Sequence, residues 1–133
     1  MASGEEKQHA GDMVLNRIVD VVKETIRPLD MFGRFGGEEF LILLPDVPQD
    51  MAVKVAERIR KALEALQISY EDQTLVVTVS LGVAQWDGHS SLDELINRAD
   101  NALYEAKALG RNLVQPASPA PDADQAQRDA GKA

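Results

Sequence analysis

At 133 residues the chain has room for one domain with a core of its own, and 44% hydrophobic against 27% charged residues is the balance of an ordinary soluble globular protein. With no cysteine it can hold neither a disulfide framework nor a thiolate metal site, which suits a reducing, cytoplasmic setting, and no apolar run approaches the ~20 residues of a membrane span. A net charge of −8 argues against a general binder of nucleic-acid polymers, which needs a basic surface, so any phosphate ligand has to be met by a few local cations.

Residues 1–10 are small or polar without a period and read as a loose entry segment. From 11 to 27, Val14, Leu15, Ile18, Val21, Val22 and Ile26 recur at helical spacing, and Pro28 ends that helix. Residues 31–36 read as a short strand, Gly36-Gly37 as a tight reversal, and 39–44 as the returning strand. The unbroken apolar run of that second arm predicts burial on both faces, and so a central place in a sheet.

Pro48 suits the first turn of a second helix, whose buried face is marked by Ala52, Val55, Ala56, Ile59, Leu63 and Leu66 to about residue 67. Two strands come next, 68–70 and a longer one at 75–84 rich in Val and Thr, separated by a polar turn at 71–73. Ser91 and Glu94 have capping-box spacing and open a third helix, which stops at Gly110, a favoured C-terminal cap. Residues 112–114 read as a last short strand. Beyond 116 the chain turns to Pro, Ala, Asp and Gln, a composition that cannot bury apolar surface, and 116–133 reads as a disordered tail behind a domain at 11–115. Helices interspersed with two hairpins predict an α+β architecture: a mixed, mainly antiparallel sheet with helices packed on it. There is no Gly-rich phosphate loop of the Walker or dinucleotide type, and neither histidine has a partner at metal-ligand spacing.

The stretch Arg34-Phe35-Gly36-Gly37-Glu38-Glu39-Phe40 concentrates the chemistry. A glycine pair at a turn followed by two carboxylates offers oxygens to a hard cation, and Mg²⁺ takes one or two carboxylates and completes its shell with phosphates and water. Read alone, the same stretch is more simply a solvated hairpin tip, and the rest of the chain reverses that reading.

Taken together, four stretches resemble one family. Arg27-Pro28-Leu29-Asp30, the Gly-Gly-Glu-Glu turn, Val79-Ser80-Leu81-Gly82-Val83, and the run from Arg98 to Lys107 with Gly110-Arg111-Asn112 are similar, in order and separation, to the GGDEF domain of diguanylate cyclases. The resemblance covers about 11–114. It implies a fold like the nucleotide cyclase and polymerase palm, and bacterial second-messenger signalling in which two GTP are joined into cyclic di-GMP. Each 3′-hydroxyl attacks the α-phosphate of the other GTP and pyrophosphate leaves, with Mg²⁺ or Mn²⁺ as cofactor and a homodimer supplying the two halves of the site.

Residue by residue, the resemblance implies that Glu38 is the metal-binding and catalytic acid and Glu39 the acid beside it. Gly36 and Gly37 let backbone approach the nucleotide, and Lys107 and Arg111 meet the terminal phosphates. The alternative for those two cations is pairing with the dipole of the helix end. Asp12 matches an aspartate that accepts from guanine N1 and N2, and is otherwise an acid in a first helical turn. Arg27 and Asp30, with Arg58 on the following helix, resemble a product-binding inhibitory site where an arginine fork addresses guanine O6 and N7. The other reading of that Arg-x-x-Asp is an exposed ion pair of ~0 to 1 kcal/mol.

In the family a strand precedes the first helix and ends in a metal-ligating aspartate, followed by a lysine and an asparagine. The resemblance therefore implies a domain that is N-terminally incomplete, with this first strand and its aspartate absent, reduced turnover by this chain alone, and an open sheet edge that pairs with other chains. Gln8 stands where the family usually has histidine, and His9 is displaced by one. A second function is compatible with the same residues: a catalytically incomplete GGDEF domain that binds cyclic di-GMP at the Arg-x-x-Asp site as a receptor or regulatory module.

Overall fold

The computed structural model describes residues 4–36 and 38–119, with 4–10 described by their backbone alone. Three helices and six strands run in the order α1 (Gly4–Thr25), β1 (Met31–Gly36), β2 (Glu39–Leu43), α2 (Gln49–Glu64), β3 (Ile68–Tyr70), β4 (Gln73–Leu75), β5 (Leu81–Val83), α3 (Leu92–Ala108) and β6 (Val114–Pro116).

The first helix begins at Gly4, so the backbone of 4–10 is helical rather than the loose entry expected. That segment lacks an apolar stripe, but Glu, Lys, Gln and Ala are strong helix formers and simply extend the helix the stripe nucleates. It ends ahead of Pro28, where expected. The core forms where α1 crosses α2: Ile18 and Val22 meet Ile59 and Leu63, of which Leu63 is fully buried. Burying each of these side chains contributes about 1.5–3 kcal/mol.

The strands pair as three two-stranded units, not as one sheet. β1 with β2 and β3 with β4 are antiparallel, whereas β5 and β6 are parallel, with Leu81 opposite Val114. The expected strand at 75–84 is divided: Leu75 closes β4, 76–80 makes no ladder, and pairing resumes at Leu81. Val and Thr favour extended backbone, but a strand exists only where a neighbour takes its hydrogen bonds. Among the described residues no strand pairs with 76–80. For the same reason β2 pairs with β1 alone and is half-buried, not central; Phe40 and Ile42 nevertheless reach the helical core, as do Val77 and Val79.

The polar turn after β3 is Glu71-Asp72, since Tyr70 already pairs with Gln73. α3 lies on β5 and β6. Its start agrees with the sequence: Ser91 is the N-cap, and its hydroxyl accepts from the Glu94 amide at 3.1 Å. The domain continues past the expected boundary at 116. Ala117 is buried and its amide donates to the Val83 carbonyl at 2.7 Å, while the Gln49 side chain reaches the Ala117 carbonyl at 3.1 Å. The remainder of the expected tail, 120–133, lies outside the described residues.

Candidate functional site

The hairpin is not a regular two-strand ladder. From Met31 opposite Leu43 to Arg34 opposite Phe40 the register is even, and then it slips, so that Gly36 faces Glu39 and Phe35 is an extra residue. Such a bulge sharpens the twist and re-aims the residues beyond it. Gly36 has a φ of +145°, a conformation strained for any residue with a Cβ. Gly37, the other half of the expected pair, lies outside the described residues. Glu38 sits in the turn and Glu39 opens β2, where the returning strand was expected to begin; both are exposed.

Two open clefts run between α1 and β1. The larger, about 510 Å³, is bordered by Asp12, Asn16 and Lys23 from the helix and by Phe32, Arg34 and Phe40 from the hairpin. Phe32 and Phe40 stack at 5.3 Å between centroids, giving the cleft an aromatic wall. Asp12 and Arg34 thus border one cleft, an acidic and a basic side chain around the same space. The second cleft, about 320 Å³, shares Lys23 and Phe32 and adds Ile26, Arg27, Pro28 and Asp30. Sequence reasoning assigns no role to Lys23 or Arg34; the position of Lys23, one turn ahead of Arg27, is the available signal.

Arg27 and Asp30 form a built pair. The Asp30 carboxylate accepts from Nη2 of Arg27 at 2.7 Å, from Nε at 3.1 Å and from the Arg27 amide at 2.7 Å, and its side chain is only 2% exposed. A further bond runs from Nη2 to the Pro45 carbonyl at 2.8 Å, tying the turn to the end of β2. The hydrogen bonds from Arg27 hold the Asp30 carboxyl below the ordinary carboxylate range, and those to Asp30 push the guanidinium further up. One edge of the fork is fixed on Asp30, while Nη1 has no partner among the described residues. Arg58 is exposed on α2, and no hydrogen bond or ion pair joins it to Arg27 or Asp30 among the described residues.

The exit of α3 carries the other cations. The amide of Arg111 donates to the Ala106 carbonyl at 3.0 Å and that of Gly110 to Lys107 at 3.4 Å, the two bonds of a Schellman cap, with Gly110 at a φ of +123° as its position requires. Two further residues are left-handed, Arg111 at +64° and Asn112 at +51°. A left-handed residue with a side chain costs roughly 1–2 kcal/mol, less for asparagine, so this turn persists because its surroundings hold it. Lys107 and Arg111 are both exposed, and neither side chain forms an ion pair among the described residues.

The structure therefore brings Asp12, Lys23 and Arg34 to one cleft and Arg27 and Asp30 to its neighbour. No hydrogen bond or ion pair among the described residues links the hairpin acids to Lys107 and Arg111, and α3 packs on β5 and β6 rather than on the hairpin. Among the described residues no three His, Asp or Glu side chains converge as a complete metal cage. Two adjacent, exposed carboxylates do fit a hard divalent ion of the Mg²⁺ class, which takes one or two protein carboxylates and draws its remaining oxygens from phosphate and water.

Residues 8–113 match the family model described as "Diguanylate cyclase, GGDEF domain". Diguanylate cyclase A of Treponema denticola is 42% identical over 106 residues, an alignment covering 79% of this chain and 29% of that protein. A crystal structure of diguanylate cyclase SiaD with its activator SiaC from Pseudomonas aeruginosa superposes at a TM-score of 0.77 with 38% identity, covering 80% of this chain and 41% of that one. The GGDEF domain of DgcB from Caulobacter crescentus, crystallised with c-di-GMP, gives a TM-score of 0.78 with 29% identity, covering 81% of this chain and 65% of that one. The chain thus spans under a third of the curated relative's length, and the palm-like cyclase architecture expected from its motifs is the one its structural neighbours have.

Proposed function

The chain belongs to the GGDEF family of diguanylate cyclases, and from that premise we propose that it is the domain that condenses two GTP into cyclic di-GMP and pyrophosphate. The observation that carries this reading is the bulged hairpin: Gly36 at positive φ and the slipped register present Glu38 and Glu39 at an exposed bend, on the hairpin whose base borders the Asp12 cleft. An acidic bend beside a base-sized cleft is what a metal-chelated purine triphosphate needs.

In this account Asp12 accepts from the guanine N1 and N2 hydrogens, with Phe32 and Phe40 as the apolar wall of the base cleft. Glu38, with Glu39 beside it, holds the divalent ion, of the Mg²⁺ or Mn²⁺ class. When bound, such an ion lowers the pKa of the attacking hydroxyl and neutralises charge on the leaving phosphates. Gly36 and Gly37 keep the bend free of side chains where the nucleotide approaches. Lys107 and Arg111 meet the terminal phosphates. For each product, two 3′-O–Pα bonds form, two Pα–O bonds to the β-phosphates break, and two pyrophosphates leave. One chain presents one GTP, so the reaction takes place between the two chains of a homodimer.

Incubation of the chain with GTP and Mg²⁺, monitoring pyrophosphate and cyclic di-GMP, tests this directly. Product above the level of a Glu38→Gln control supports it, and product no higher than that control rejects it.

A second reading is favoured by the Arg27–Asp30 pair. Fixed by four hydrogen bonds beside a cleft that also holds Lys23 and Pro28, the pair leaves Nη1 of Arg27 available to a guanine edge. This site binds cyclic di-GMP, whether as inhibitory product or as the ligand of a receptor domain.

A further inference from the structure

The turn that carries Arg111 is held from α2. Arg60 is only 15% exposed along its side chain, and its guanidinium serves three acceptors. Nη2 meets Glu57 at 2.9 Å, and Nη1 meets Glu64 at 2.9 Å and Oδ1 of Asn112 at 3.2 Å. Asn112 returns the contact, its Nδ2 donating to the same Glu64 carboxylate at 2.8 Å. Its backbone amide donates to the Ser80 hydroxyl at 3.0 Å. Both ends of the Asn112 amide group are therefore used on two oppositely charged partners of one helix, which fixes its orientation as well as its place. The adjacent residue is Arg111, in a left-handed conformation with its side chain outside this network.

Glu57 and Glu64 are already spaced to pair with Arg60 along one helix, so helix stability alone accounts for those two contacts. It does not account for the third. The hydrogen bonds to Asn112 span 52 and 48 residues and end on the second of two consecutive strained positions. Strain of that kind survives where neighbours over-determine it, and it collects at ligand clamps.

We propose that Arg60, Glu64 and Asn112 form a positioning unit that sets the direction of Arg111 toward the terminal phosphates of the bound nucleotide. The proposal rests on the phosphate role assigned to Arg111 under the proposed function. Arg60 itself touches no ligand. Its fork and the Asn112 amide hold the backbone from which the Arg111 side chain leaves, so that this long side chain is aimed at low entropic cost.

The test is calorimetry on the whole chain with Mg²⁺ and two ligands, an α,β-methylene analogue of GTP and GMP. Asn112→Gly keeps the left-handed backbone without strain and removes only the amide contacts. Arg60→Lys keeps the charge near Glu57 and Glu64 but loses the fork that reaches Asn112. Each variant, like Arg111→Ala, is expected to weaken the triphosphate analogue about tenfold and to leave GMP within about twofold. Thermal melts of each variant establish that the chain is folded. Equal weakening of both ligands marks a general structural role and overturns the proposal. Weakening of the analogue by Arg111→Ala but by neither other variant overturns the positioning and leaves the phosphate role standing. No weakening by Arg111→Ala overturns both.

Discussion

Gly82 lies so close to Leu103 that a Cβ at position 82 would overlap the Leu103 backbone amide and the Ala99 carbonyl. The strand β5 and helix α3 approach each other backbone to backbone at this point, and α3 also packs on β6. Gly82→Ala forces α3 away from the strand. Overpacking of a close interface costs about 1–3 kcal/mol, more where the neighbour is backbone that cannot yield. Urea denaturation of Gly82→Ala should show a lowered midpoint at unchanged slope; an unchanged midpoint would mean that the helix moves freely and that β5 does not position it.

Asp30 makes the stability of the chain depend on pH in a stated direction. Its carboxyl lies below the unfolded value of about 3.9, because the folded state offers hydrogen bonds to the ionised form. Its contribution is therefore complete above about pH 4 and is lost as pH falls through the still lower folded value. Asp87 is held low as well, by the amides of Ser90 and His89, so the two must be separated by mutation. The urea midpoints of the parent chain and of Asp30→Asn should differ at pH 6 and draw together as pH falls below about 4. A difference that stays constant over that range would contradict the account.

Cyclic di-GMP should bind at Arg27. Replacing one partner of a charge-assisted, forked pair removes roughly 1.5–3 kcal/mol, or about one to two decades of affinity. Calorimetry on Arg27→Ala should show that loss, and Arg27→Lys most of it, since an ammonium cannot hold Asp30 through two parallel donors and also present a further nitrogen to the ligand. Undiminished binding in Arg27→Ala would place the ligand elsewhere.

Much of this architecture is written in local chemistry. Pro28 ends α1, Ser91 opens α3 and Gly110 closes it, each through a rule that involves only its own neighbours in the chain. The Gly36 bend and the exposure of Glu38 and Glu39 are legible for the same reason. Features that depend on partners far away in sequence are not. The Val-rich run at 75–84 has the residues of a strand, yet 76–80 forms none, because pairing is a property of two segments and no described strand pairs with this one. Asn112 reads in sequence as the start of a short strand; in the fold it is the end of a turn pinned to Arg60, 52 positions earlier. The start of α1 is hidden for the opposite reason, since helix formers without an apolar stripe leave no periodicity to read. For the candidate site, the motif residues identify the acids and cations, but the sharing of one cleft by Asp12 and Arg34 and of the next by Lys23 and Arg27 needs the packing of α1 against β1.

The central claim is that the acidic bend at Glu38 and Glu39 meets a metal-bound guanosine triphosphate. The most direct measurement replaces Mg²⁺ with Mn²⁺ and records paramagnetic broadening of the backbone amide resonances in the presence of the α,β-methylene GTP analogue. The account predicts strong broadening at Gly36, Glu38 and Glu39, absent in Glu38→Gln, with the Tyr70–Gln73 turn unaffected. Broadening that spares the bend, or that survives unchanged in Glu38→Gln, would contradict it.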